Sequence, residues 1–596
     1  MNQASMSAGP KSETRAAPPG RAPAVRGWNA VEAAMLTVAA VFLALHFAHL
    51  QADFPNHSPW ADWSKYTDEG WYGDAAIRHS QLGHWNVPGD FNPAAALPVW
   101  PALEMVLFRF TGVSVVAARA LAVSVFGLSL VCCYLLLRRW SNAGSESGRK
   151  SLAPALAVLL LAVNPMCFAF SRLAILEPLL ILLTLAALLA ATEAGAIGAL
   201  AELPDQHARR HLQLRSAAWA VVLGLLMTLM VLTKTTGAFL LPAIFWMLWG
   251  ASGYRLRAFL RAAGVAGATG VAAWGAYLGL LVRLHYLADY HYLFGSNTYT
   301  GITLGTFWSE VQSMVLDVQW IGDTLSVLAL VAVVASLAAL FVRHLRASPL
   351  PAVLLVWIFG YAAFLAYHAN LSPRYYVALA VPLTLLVAIF FEPALAAAFR
   401  SRVKSAVPAG GTPSAQFRRV LRMLPAAAVA AALSMAICGG AGQTIYFVRH
   451  PEYTFVSAAE QVRQAVEREQ ETDPAHSPLL LSISGAQLSL MTGLESICDD
   501  FGTMELPQRV ATYRPGWFAT WNYVEDDKME ALAPMYRLVR VGAFPALDDP
   551  ERNLLILYRL DPARPASGPV VSQNQPFPHP PGRSVGDQPA SAQLTH

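Results

Sequence analysis

Charge is scarce in this chain. Asp, Glu, Lys and Arg make up 13% of its 596 residues, about half the share of an ordinary soluble protein. That leaves too little charge to solvate a globular surface. Cysteine is scarce too. Of Cys132, Cys133, Cys167, Cys438 and Cys498, only the last falls in a polar stretch, which rules out a disulfide framework and a CxxC metal site. No P-loop or GxGxxG pattern stands on a strand–turn–helix, so a soluble nucleotide-sugar site is unsupported. No internal repeat is visible either, which counts against the paired halves of a secondary transporter. The net charge of +4 says little, because the charges are sorted by position; no nucleic-acid partner is expected.

What is abundant is apolar sequence. Hydrophobic residues make up 55% of the chain, and the mean hydropathy is +0.42. Repeated runs are long enough to cross a bilayer as helices. The sequence predicts a polytopic α-helical membrane protein of about eleven spans: 30–50, 112–137, 152–170, 174–192, 216–233, 237–250, 263–283, 321–342, 351–368, 375–391 and 424–447. The positive-inside rule orients them. With the N-terminus in the cytoplasm, the inner segments collect clusters such as Arg138-Arg139, Arg149-Lys150, Arg209-Arg210, Arg343 with Arg346, and Arg418-Arg419. The outer segments hold isolated cations: Lys65, Arg78, Arg172, Lys234 and Arg374. The first run is too long for a signal-peptide core and is read as a retained span. Localisation in the cytoplasmic (inner) membrane follows.

The expected organisation is a disordered cytoplasmic stretch 1–28, a transmembrane domain 29–449 with outer loops 51–111 and 284–320, a small extracytoplasmic α/β domain 450–561, and a disordered Pro-, Ser- and Gln-rich tail 562–596. Within the soluble region, PEYTFVSAAEQVRQAVEREQ has helical spacing and AQLSLMTG reads as a short helix stopped at Gly493, whereas PLLLSIS, YRLVRVGAF and NLLILYRL read as strands.

Three clusters could carry chemistry. Asp68-Glu69 stands in YTDEGWYGDAAIRH among Tyr66, Trp71 and Tyr72, with Arg78, His79 and His84 close behind. The pair suits a reaction centre; it would equally suit the opening of a helix from Thr67 through Arg78. The turn SRLAILEP brackets an apolar stretch with Arg172 and Glu177, costly at a membrane boundary unless paired or functional. A structural ion pair closing the turn is the other reading, and Pro178 suits the first position of the following helix. Lys234 in LTKTTGAFLLP and Arg374 in HANLSPRYY, with His368 nearby, run against the positive-inside trend. They either snorkel to headgroups or bind a phosphate. Carboxylates, cations and aromatic rings on one face of a helical bundle suit attack on the anomeric carbon of a lipid-phosphate sugar, with an acid as base and cations on the leaving phosphate. Asp68 and Glu69 with His79 or His84 are also candidate ligands for Mg²⁺ or Mn²⁺.

These stretches resemble the GT-C glycosyltransferases, in particular the protein O-mannosyltransferase and aminoarabinose (lipid A) transferase group. The resemblance covers about residues 30–450 and rests on DEGWYGDAAIRH, SRLAILEP, LTKTTGAFLLP and SPRYYVALAVP in that order. It implies a polyprenyl-phosphate sugar donor and inverting transfer outside the cytoplasmic membrane to a protein, lipid or glycan acceptor. It places the catalytic acid on Asp68 with Glu69 as companion, and the second-loop acid on Glu177, where many relatives carry Asp. The lipid A transferases hold a Lys-Pro-Pro late in the first outer loop; here the stretch reads FNPAAALPVWP, with no lysine. Phosphate binding then falls to Lys234, Arg374, Arg78 or Arg172, or to a metal, and His79, His84, His368 and Tyr72 are candidate substrate or metal contacts. The readings from other classes are a flippase or transporter of lipid-linked saccharides and a non-catalytic envelope assembly protein.

Overall fold

The computed structural model describes residues 26–141, 151–196, 206–296, 304–341, 348–368, 371–404, 413–522 and 525–563. The two ends expected to be disordered lie outside these residues except for 26–28 and 562–563, as do Arg149-Lys150, Arg343 and Arg346.

The chain opens with α1 (Arg26–His46). Two helices follow in the stretch read as the first outer loop: α2 (Asp68–Leu82) and α3 (Val99–Thr111). Next come α4 (Val115–Ser141), α5 (Ala153–Ala162), α6 (Pro165–Ser171), α7 (Leu176–Gly195) and α8 (Gln206–Thr233). Then follow α9 (Leu241–Ala251), α10 (Leu256–Tyr277), α11 (Leu287–Ser296) and α12 (Leu304–Asp317). The bundle ends with α13 (Asp323–Leu340), α14 (Leu350–His368), α15 (Pro373–Lys404) and α16 (Pro413–Arg449). Among the described residues, eight helices are long and apolar enough to cross a membrane, and the pair α5–α6, bent by 64° at its break, makes a ninth. Two shorter apolar helices, Ala30–His46 and Thr235–Ala251, cover the first and sixth apolar runs. The molecule is a multi-pass helical membrane protein.

Burial explains the arrangement. Helix α7 is apolar all round and buried on nearly every side against α4, α8 and α9, as a helix without a polar face must be. Pro178 is the third residue of α7 rather than its first; any first-turn position suits it, since those amides have no intrahelical acceptor. At the break between α5 and α6, Asn164 caps α6 by accepting from the Cys167 amide at 3.0 Å, and its own amide donates to the Ile321 carbonyl at 2.7 Å. The expected outer loop 284–320 differs from the reading. A π-helical segment, Leu278–Tyr286, carries α10 straight into α11, and α12 begins at Leu304. The tyrosine-rich sequence is mostly helix.

The C-terminal region is a small α/β unit. It contains α17 (Thr454–Thr472), β1 (Leu480–Leu481), α18 (Gly485–Thr492), β2 (Ser496–Ile497), α19 (Leu506–Tyr513), β3 (Trp517–Trp521), α20 (Glu525–Leu532), β4 (Tyr536–Pro545) and β5 (Leu554–Pro562). The sheet order is β2-β1-β3-β5-β4. Strand β1 lies parallel to β2 and β3, and β5 is antiparallel to β3 and β4. Gly493 stops α18 in the left-handed conformation, φ 81°, which glycine adopts without steric cost. Part of this unit's core comes from elsewhere. Tyr66 packs among Phe455, Trp517, Trp521 and Leu555, and Val87 among Leu481, Ile497 and Phe518.

Candidate active site

Asp68 and Glu69 do open a helix, as the capping reading expects. Thr67 is the N-cap of α2 and both acids sit in the first turn, where negative charge suits the helix dipole. They are not solvated, however: both are buried. Helix α2 lies between the bundle and the C-terminal unit, so its first turn faces protein on every side.

The two carboxylates have different partners. Glu69 is saturated. Arg119 of α4 grips it in a two-pronged pair, Nε to Oε1 at 2.7 Å and Nη2 to Oε2 at 2.6 Å. The Ala174 amide adds 2.9 Å to Oε1 and the Gln487 side chain 3.1 Å to Oε2. The remaining Arg119 nitrogen, Nη1, donates to the Leu50 and Ala52 carbonyls. Four donors on one buried carboxylate leave it no lone pair for substrate.

Asp68 is more lightly held. Its Oδ1 accepts from Thr67 Oγ1 at 3.0 Å, and its Oδ2 lies 3.1 Å from Arg374 Nη1. Burial pushes its carboxyl above the usual range; Arg374 opposes this, and the charges of Asp62 and Glu177 add to it. Arg374 starts α15 and reaches three acids: Asp62 at 2.7 Å, Asp68 at 3.1 Å and Glu177 at 4.0 Å from its Nε. Lys234, in the turn between α8 and α9, pairs with Glu177 Oε1 and lies 4.4 Å from the Tyr375 ring centroid. Arg374 stacks on the same ring at 5.0 Å. Tyr72, one turn along α2 from Asp68, feels the charges of Asp68, Arg374 and Glu177, and burial holds its hydroxyl protonated. His368 lies against Tyr375, with ring centroids 6.1 Å apart. Asp68, Glu177, Lys234, Arg374, Tyr72 and His368 therefore form one cluster at the ends of α2, α7, α8, α14 and α15.

Other candidates lie elsewhere. Arg78 is paired with Asp74 at 3.0 Å and Asp90 at 2.5 Å and donates to Asn92; its charge is spent joining the two ends of the segment 74–92. Arg172 donates through Nη2 to the Ala48 and His49 carbonyls, both at 2.6 Å, closing the chain just after α1. Its guanidinium carbon stands 4.6 Å from the Phe168 ring centroid. His79 stands eleven residues beyond Asp68 on the same helix, about 16 Å away at 1.5 Å per residue, and His84 lies exposed past the helix end with Nδ1 2.7 Å from the Asn86 carbonyl. With Glu69 saturated and both histidines remote, the donor set proposed for Mg²⁺ or Mn²⁺ is not assembled. Among the described residues, no group of three or more His, Cys, Asp or Glu could hold a metal ion.

Neither a family model nor a curated protein sequence matches the chain. Solved structures do. ArnT from Cupriavidus metallidurans in the apo state aligns with a TM-score of 0.53 and 16% identity, over 89% of this chain and 98% of that one. The structure of ArnT bound to undecaprenyl phosphate gives 0.51 and 17%, over 90% and 98%. The apo oligosaccharyltransferase of Archaeoglobus fulgidus gives 0.50 and 14%, over 88% of this chain and 76% of that one. The chain shares its fold with these structures. On this scaffold, three residues that the sequence reading passed over complete the cluster and its frame. Arg119 had left a signal, a lone cation inside an apolar run. Asp62 lies six residues before Asp68 with no motif around it. Gln487 comes from the C-terminal unit, more than four hundred residues away, and nothing local marks it.

Proposed function

We propose that the chain is an inverting glycosyltransferase that moves a sugar from a polyprenyl-phosphate donor to a protein, lipid or glycan acceptor at the outer face of the cytoplasmic membrane. The observation that carries this is the buried Asp68 bridged to Arg374, with Lys234 and Glu177 alongside. Asp68 takes the proton of the acceptor hydroxyl as the acceptor oxygen attacks the anomeric carbon. The bond from that carbon to the phosphate oxygen breaks, and polyprenyl phosphate leaves with the electron pair. A base whose affinity for protons is raised by burial is better suited to a neutral hydroxyl than an ordinary carboxylate. The leaving phosphate needs charge stabilisation more than a proton, and the Arg374 fork with the Lys234 ammonium supplies it. Both cations are held in place by acids in the resting site, so little side-chain rearrangement is required of them. Glu177 orients Lys234, and Glu69 holds α2 through Arg119. The orientation follows the positive-inside pattern, which puts α2 and the C-terminal unit outside the cytoplasm.

Mass spectrometry of polyprenyl-phosphate sugars and envelope glycans in a strain lacking the protein tests this reading. The expected result is accumulation of one lipid-linked sugar with loss of one glycosylated product. An unchanged lipid-linked pool and unchanged glycans would contradict it.

A further inference from the structure

We propose that Asp62 is a positioning residue that fixes the Arg374 guanidinium between the base and the lipid phosphate. The proposal rests on the reading above and extends it to a residue outside every resembled motif. Asp62 caps a short 3₁₀ turn, Trp63–Lys65, with Oδ1 accepting the Ser64 amide at 2.8 Å. The same carboxylate, fully buried, reaches across to α15. Its Oδ2 accepts the Arg374 backbone amide at 3.0 Å and its Oδ1 accepts Arg374 Nη1 at 2.7 Å. One acid thus holds both the backbone and the side chain of one arginine. The backbone contact satisfies a first-turn amide that the helix itself cannot.

The clamp decides which guanidinium nitrogens stay available. Nη1 is shared between Asp62 and Asp68. Nη2 donates to the Tyr375 hydroxyl at 3.3 Å. Nε makes no hydrogen bond among the described residues, with the nearest Glu177 oxygen 4.0 Å away. A buried guanidinium N–H without an acceptor is costly, and a phosphate oxygen is the acceptor that suits it. The charged and titratable groups facing Asp68 are Arg374, Asp62, Glu177 and Tyr72. Removing the Asp62 charge takes away a like charge near Asp68 and leaves Arg374 more fully engaged with it. Both changes favour the ionised base.

The test uses the intact purified protein. Native mass spectrometry reads polyprenyl phosphate binding, and turnover against pH reads the base. Asp62→Ala is expected to weaken polyprenyl phosphate binding by about tenfold or more, the factor for one charge-assisted hydrogen bond. Added to Arg374→Ala, it should cause no further loss, since both act through one guanidinium. Asp62→Asn keeps the size and one acceptor, so it serves if the alanine variant does not fold; its acid limb should move to lower pH. Asp62→Glu should restore part of the binding. Losses that add independently to those of Arg374→Ala, or an acid limb unmoved in Asp62→Asn, would overturn the positioning role. Failure of the unaltered protein to bind polyprenyl phosphate would instead overturn the glycosyltransferase reading itself.

Discussion

Adjacent residues in the first turn of α2 do different work. Glu69 is consumed by Arg119, so Glu69→Gln should act on folding. Breaking one partner of a buried pair costs about 3–5 kcal/mol, and the expected outcome is a lowered melting temperature with reduced folded yield. A variant that melts like the unaltered protein yet loses turnover would instead place Glu69 in the chemistry. Lys234→Ala should raise the donor KM about tenfold, the loss of one charge-assisted contact, with acceptor KM unchanged. Asp499 offers a separate pH test outside the membrane. Burial holds its carboxyl up to about 7, against Lys528. A raised acid keeps its proton in the folded state where the unfolded chain would release it, so stability falls as pH rises from about 4 to 7. Asp499→Asn should flatten that fall, seen as a higher melting temperature at pH 8 but not at pH 4. At this scale the sequence was informative where charge met apolar surroundings. Asp68, Glu177, Lys234 and Arg374 stood out because ions are expensive at a membrane boundary. The same rule picks out Arg119. It fails for Arg78 and Arg172, whose partners, Asp74 with Asp90 and the carbonyls after α1, are set by chain geometry that spacing does not reveal.

Among elements, α2 and α18 make the decisive contact. Gly70 follows Glu69, and a Cβ there would stand 2.1 Å from the Gln487 amide nitrogen. The Gly70 amide donates to Gln487 Oε1 at 2.8 Å, and the Trp71 indole donates to the Ile483 carbonyl at 3.0 Å. Only a residue without a side chain lets the two backbones meet. Gly70→Ala should therefore separate the C-terminal unit from α2, with turnover reduced by at least about tenfold, as small displacements in active sites cause, and faster proteolysis within residues 454–563. Normal turnover with an unchanged digestion pattern would show the contact to be dispensable. Helices in the apolar runs follow from the length of those runs, and strands β4 and β5 from sequence that alternates or runs apolar. Strand β3, the sequence Trp-Phe-Ala-Thr-Trp, is buried at all five positions, so it lacks the alternation that marks a half-exposed strand. The opening of α2 was legible in Thr67-Asp68-Glu69, but α3 was hidden in an apparent loop because the flanking Pro, Gly and Trp residues obscure a helical period.

For the whole molecule, the site exists only when four distant stretches meet: the segment around Asp62 and Asp68, Glu177 at the start of α7, Lys234 after α8, and Arg374 at the start of α15. The charges lie at the same end of the bundle as the C-terminal unit. Reporter fusions check the orientation. A fusion after residue 452 should be active only outside the cytoplasm, and one near residue 145 only inside; the reverse would place the site on the wrong face for an outward transfer. Composition and charge sorting made the helical membrane class legible, because a bilayer constrains long segments strongly. The mutual docking of α2 and the C-terminal unit was not legible, since it depends on Tyr66, Val87 and Gln487 filling places in another part of the chain. The most direct measurement is turnover by purified Asp68→Asn protein with a polyprenyl-phosphate sugar donor and its acceptor. The account predicts a fall of about 10²-fold or more, the usual share of a general base, with polyprenyl phosphate still bound. Near-normal turnover in that variant would contradict it.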